Sequence, residues 1–258
     1  MRQPVVAGNW KMNLRAHEAT GLVRDLTALL GAAREVEVIL APSFTVLPVV
    51  GPAVLKAGLK LAGQNVCAMG RGAFTGEVSA AMLKDVGCGH AIIGHSERRR
   101  LFGETDADIR GKIRCALDNG LGPILCVGET VDERERGETE TVVERQMEQG
   151  LANVSADEMT GFLIAYEPVW SIGTGRNATP AQAQAVHRHL RSRLAGLFGP
   201  GAARAVRVLY GGSVNASNAG ALLAEEDIDG ALVGNASLNV DSFYAIINAA
   251  NERLQGRD

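Results

Sequence analysis

The chain has 258 residues, 46% hydrophobic and 21% charged, enough to bury one sizeable core. A formal charge of -3 offers no basic face to a nucleic acid, and no apolar run approaches the ~20 residues of a membrane span. Four cysteines without CxxC or zinc spacing, behind an N-terminus that lacks a charged-then-apolar leader, predict reduced thiols in a cytoplasmic protein with no signal peptide.

Eight short runs rich in Val, Ile and Leu follow one another, starting at Val5, Val36, Leu59, His90, Gly122, Gly161, Ala205 and Gly230. None alternates with polar residues, which is how a strand covered on both faces reads. After the first run, AHEATGLVRDLTALL sets Leu22, Leu26, Leu29 and Leu30 at helical spacing. After the second, VLPVVGPAVLKAG carries two prolines, which predicts a short or broken helix. Thr179-Pro180 reads as a hydroxyl cap followed by proline in the first helical turn, opening a helix through AQAQAVHRHLRSRLAGLFG. DSFYAIINAANERL closes the chain as a last helix. Strand then helix, eight times, predicts an α/β fold: a closed, parallel (β/α)8 barrel in a single domain over residues 1–258. A doubly wound open sheet would want GxGxxG after the first strand, where this chain has GNWKMN.

Barrel sites lie at the C-terminal ends of the strands. There the sequence places Asn9 and Lys11, Ser43, Gln64 and Asn65, His95 with Ser96 and Glu97, Cys126 and Glu129, Glu167, and two glycine-rich turns at 211–213 and 234–237. Glycines after strands seven and eight suit a phosphate, because bare backbone N–H groups can approach an anion; the plainer alternative is that they only turn the chain. A lone Glu is commonly an ion-pair partner and a lone His a satisfied core residue. Together, Glu167, His95 and Lys11 supply a carboxylate to take a proton, an imidazole to bond an oxygen and a cation to hold negative charge. That set suits proton abstraction next to a carbonyl. A Ser/His/Asp hydrolase fits less well, since neighbours on a strand point to opposite faces, as Ser96 and His95 would. No HxH or HExxH spacing supports a metal. An aldolase using Lys11 as a Schiff base, and a non-catalytic phosphate binder, remain as rivals.

GNWKMN at 8–13, GHSERR at 94–99, CVGE at 126–129, YEPVWSIGTG at 166–175, YGGSV at 210–214 and LVGNASL at 232–238 resemble the triosephosphate isomerase family, in order and across nearly the whole chain. The resemblance implies interconversion of dihydroxyacetone phosphate and glyceraldehyde 3-phosphate without cofactor or metal. It implies Glu167 as base, neutral His95 as electrophile, and Lys11 with Asn9 at the substrate oxygens. Glu97 matches an acid that bonds near Lys11. Ser213, Gly173, Gly234 and Asn235 would hold the phosphate. Pro168, Trp170, Ile172 and Thr174 belong to a closing lid, and Tyr210 and Ser213 to its latch. A dry, closed site would raise the basicity of Glu167 and protect the enediolate from losing phosphate. GRGAFTGE at 70–77, with Thr75 near its tip, resembles a loop that inserts into a second copy, which implies a homodimer. Ser171, Arg176, Asn177 and Asn235 depart from the family's usual pattern. Asn at 235 would be the least costly substitute for Gly if the position needs φ > 0.

Overall fold

The computed structural model describes residues 2–31, 35–172 and 177–255. The eight anticipated strands are all present: β1 (Val5–Asn9), β2 (Glu37–Ala41), β3 (Lys60–Gly63), β4 (His90–Ile93), β5 (Gly122–Val127), β6 (Leu163–Tyr166), β7 (Arg207–Tyr210) and β8 (Gly230–Val233). They pair in parallel in chain order, and β8 closes onto β1 with Val5 opposite Gly230. The result is a closed eight-stranded barrel.

The apolar runs do not alternate in polarity, yet their period of two still sorts them. Ala7, Ile39, Ala62, Ile92, Ile124, Ala165, Leu209 and Leu232 fill the barrel interior. Their chain neighbours Val6, Leu40, Leu61, Ile93, Leu125, Ile164, Val208 and Val233 pack outward beneath the helices. The same parity continues to the strand ends. Asn9 and Glu167 fall on the inward set at the C-terminal mouth. Glu37, Lys60, His90 and Arg207 fall on it at the N-terminal mouth, where Lys60 and Arg207 flank Glu37 at 2.9 and 3.6 Å.

The described residues form ten α-helices: α1 (Ala16–Leu30), α2 (Leu47–Lys56), α3 (Ala80–Asp85), α4 (Ser96–Leu101), α5 (Asp106–Asp118), α6 (Val131–Glu135), α7 (Thr139–Leu151), α8 (Pro180–Ala205), α9 (Ala219–Leu223) and α10 (Val240–Gln255). On α1, Leu22 and Leu26 are buried while Leu29 is 45% exposed, so the apolar stripe is narrower than its leucines suggested. The helix with two prolines is short, ten residues, and unbroken. Thr179 caps α8 as anticipated: its hydroxyl accepts from the Gln182 N–H. That helix runs past Phe198 only by breaking, since Gly199 has φ 83° and a second helical piece begins at Pro200. No described helix is long and apolar enough to cross a membrane.

Candidate active site

A cavity of about 430 Å³ opens at the C-terminal mouth of the barrel. It is lined by Asn9, Lys11, His95, Glu97 and Glu167 on one side, and by Gly211–Val214 and Gly234–Ala236 on the other. A larger cavity, about 600 Å³, lies at the opposite end around Lys60, His90 and Gly122. The smaller one gathers convergent polar groups where barrel enzymes keep their chemistry, so it is the candidate site.

Lys11 is held in an unusual conformation. Its φ of 52° lies in the left-handed region, costly for a side chain of this kind. Two partners impose it. The Asn9 side chain accepts from the Lys11 N–H at 3.1 Å, and Gln64 donates to the Lys11 carbonyl at 2.8 Å while also donating to Ala41 O. The turn aims the Lys11 ammonium at Glu97, Nζ to Oε1 2.6 Å. With Nζ already engaged by the Glu97 carboxylate, the arrangement gives the Schiff-base alternative no support.

His95 and Ser96 do not sit on a strand as the sequence reading assumed. β4 ends at Ile93, Gly94 turns the chain with φ 74°, and His95 is the N-cap of α4. Its Nδ1 accepts from the Glu97 N–H at 3.2 Å. That bond leaves Nδ1 unprotonated and puts the single proton of neutral imidazole on Nε2. Nε2 lies 2.9 Å from Glu167 Oε1, and the Ser96 N–H donates to Oε2 at 2.8 Å. Ser96 therefore contributes its backbone and not its hydroxyl.

Glu167 is 2% exposed. Burial pushes its carboxyl up, but His95 and the Ser96 N–H outweigh that and hold it below the usual range. The expectation of raised basicity is thus not met in this arrangement, because the hydrogen bonds stabilise the charged form. Burial lowers His95, while the facing carboxylate raises it, and the rise prevails as long as the two touch.

The glycines of the 211–213 turn owe their place to packing. A Cβ on Gly211 would lie 2.9 Å from Glu167 Cγ, and one on Gly212 would meet the Tyr210 hydroxyl at 2.3 Å. Neither has positive φ, so neither is glycine merely to turn the chain. Ser213, Gly234 and Asn235 line the cavity opposite the acid. Asn235 opens a 3₁₀ turn (Asn235–Leu238) without positive φ, so that condition does not explain its presence. Gly173, Thr174 and Arg176 lie outside the described residues. Before them, Pro168 contacts the Tyr210–Gly212 turn, Ile172 lines the cavity, and Ser213 Oγ donates to Ser171 O at 3.4 Å. Trp170 donates to Glu129 Oε1 at 2.9 Å and stacks under Arg134.

Comparison with known proteins matches residues 4–250 to the family model described as Triosephosphate isomerase. Curated proteins named triosephosphate isomerase are similar from end to end. That of Chloroflexus aurantiacus is 52% identical over 96% of this chain and 99% of its own. That of Carboxydothermus hydrogenoformans is 51% identical over 97% and 100%, and that of Trichlorobacter lovleyi 49% over 96% and 98%. The chain belongs to the triosephosphate isomerase family.

Within that family frame, the structure brings Asn9, Lys11, His95, Glu97, Glu167, Ser213, Gly234 and Asn235 to one cavity. Thr75 is not part of it; it sits in an exposed loop with Phe74 43% exposed. Cys126 lies inside the barrel, fully buried, where desolvation pushes its thiol well above the ordinary value. Trp10 is fully buried and belongs to the core. Sequence reasoning noted Gln64 and Glu129 as strand-end residues without giving them work. Gln64 fixes the Lys11 backbone. Glu129, with no exposure, takes Trp170, Arg134, Tyr166 and Thr139 on one oxygen. Their sole signal was a polar residue at a strand end.

Proposed function

We propose that this chain interconverts dihydroxyacetone phosphate and D-glyceraldehyde 3-phosphate by proton transfer through an enediolate, without a cofactor, as its family does. The observation that carries the reading is the facing pair: a buried Glu167 carboxylate on the Nε2 of an imidazole whose Nδ1 is tied to a helix N–H. Glu167 leaves His95 and Ser96 to reach the substrate carbon. It then loses the bonds that lowered its basicity and keeps the burial that raises it. The C–H electrons move into a C=C bond and the carbonyl becomes an alkoxide. His95 Nε2–H donates to that oxygen, with Asn9 and Lys11 beside it. The hydroxyl proton on the first carbon's oxygen passes to the alkoxide on the second, through the His95 imidazole that faces both; Glu167 then returns its proton to the neighbouring carbon as the first carbon's oxygen becomes the new carbonyl. Acid/base tuning of this kind, and a lid that closes over it, are already described for the family.

Ser213, Gly234 and Asn235, with Gly173, hold the phosphate. Pro168, Trp170, Ile172 and Thr174 carry the lid, and Tyr210 latches it. The 70–77 loop pairs two copies: it projects Phe74, 43% exposed, an aromatic ring that burial against a second copy would stabilise. The protein works in the cytoplasm, in keeping with four buried free cysteines. A coupled assay with glyceraldehyde 3-phosphate in EDTA-treated buffer tests the activity. Turnover in heavy water introduces deuterium at the carbon next to the carbonyl. Interconversion without that label, or activity that returns only with added metal, refutes the mechanism.

A further inference from the structure

Three consecutive arginines on α4 meet different fates. Arg98 pairs with Glu104, and Arg99 with Asp106 and the Gly94 carbonyl. Arg100 is exposed, lines the cavity, and among the described residues enters no ion pair. The groups around it pose an electrostatic problem. Lys11 is neutralised by Glu97 at 2.6 Å, and Glu167 adds a further negative charge. Without Arg100 the cavity carries one net negative charge, which repels a phosphate ester. Arg100 stands three residues after Glu97 on the same helix, the spacing that brings two side chains together on one face.

We propose that Arg100 is the positioning residue that takes over Glu97 when Lys11 turns to the bound phosphate ester. The inference rests on the isomerase reading above. Arg100 does not touch the reacting atoms. It frees the field of Lys11 and offsets the two carboxylates, so it acts on capture of the dianion more than on the proton transfer.

The test is Arg100→Gln in the full chain. At low ionic strength kcat/KM falls about fivefold, with the loss in KM and kcat nearly unchanged. In 1 M salt, where the screening length is about 3 Å, the loss disappears. Arg100→Lys restores most of it. In a Glu97→Gln background the substitution has little effect, and the same cycle read on Kd for inorganic phosphate gives the same coupling without relying on turnover. A kcat/KM unchanged at low salt, a loss equal at low and high salt, or a loss undiminished beside Glu97→Gln each overturns the proposal. Wild-type turnover separates the two readings. An inactive wild type removes the isomerase reading and this inference with it, whereas an active wild type with no salt-dependent loss removes this inference alone.

Discussion

Replacing Gly128 by Ala reaches the proposed base, Glu167, through the backbone. Gly128 follows β5, and its ideal Cβ would lie 1.7 Å from the Glu167 carbonyl oxygen and 2.6 Å from its carbon. Such contacts are essentially never shorter than 3.0 Å, so the two segments must separate by at least about 1.3 Å. Gly128 cannot readily yield, because the Gln146 side chain grips both its N–H and its carbonyl at 2.8 and 3.1 Å. The displacement falls on Glu167, whose N–H is tied to Val127 O at 2.8 Å. A misplacement of about 1 Å costs on the order of 10²-fold in rate, or ~2.7 kcal/mol of barrier. Initial rates against glyceraldehyde 3-phosphate measure it, with circular dichroism and Tm to show that the variant folds. Gly21→Ala on α1, at a half-buried position where an added Cβ meets nothing within 4 Å, serves as the comparator and gains up to about 1 kcal/mol of stability. A folded Gly128→Ala protein with kcat within about twofold of wild type would refute the link from this glycine to the base.

Shortening the base with Glu167→Asp retracts the carboxylate by about one bond and lowers kcat on the order of 10²-fold while phosphate binding persists; unchanged turnover would place the base elsewhere. His95→Ala removes a donor to the developing oxyanion and costs roughly 2.7–4 kcal/mol in kcat/KM; a loss under about tenfold would contradict that role. Burial pushes His90 and His187 down to about 4, while unfolded imidazoles titrate near 6.5. Both are neutral in either state above that pH. As pH falls from 6.5 to 4 the unfolded chain binds protons that the folded chain does not, so stability drops by up to ~3 kcal/mol per histidine. Urea unfolding across that range measures the drop, and a His90→Gln protein with the same slope would contradict the assignment.

The barrel was legible because eight buried strands leave eight apolar runs, and a period of two then decides what each strand end shows to the mouth. The rule that barrel sites lie at the C-terminal strand ends nominated Asn9 and Glu167 on sequence alone. Parity misled at His95–Ser96, where the run HAIIGHSE was carried past the true strand end at Ile93. Gly94 and the acid-first, arginine-rich SERRR were the signs of a turn into a helix. Gln64 and Gln146 could not be found by pattern, since each acts on a backbone group distant in sequence, on Lys11 and Gly128. The φ of Lys11 was equally hidden, because nothing in GNWKMN marks a lysine for the left-handed region.

At rest both oxygens of the Glu167 carboxylate are engaged, one by an imidazole and the other by a peptide N–H. In the proposed mechanism, a passing aldehyde or ketone without a phosphate tail meets a reagent that is already occupied. Discrimination then precedes chemistry: the vacant barrel is inert toward ordinary cellular carbonyl compounds, and the far end of the right molecule switches reactivity on.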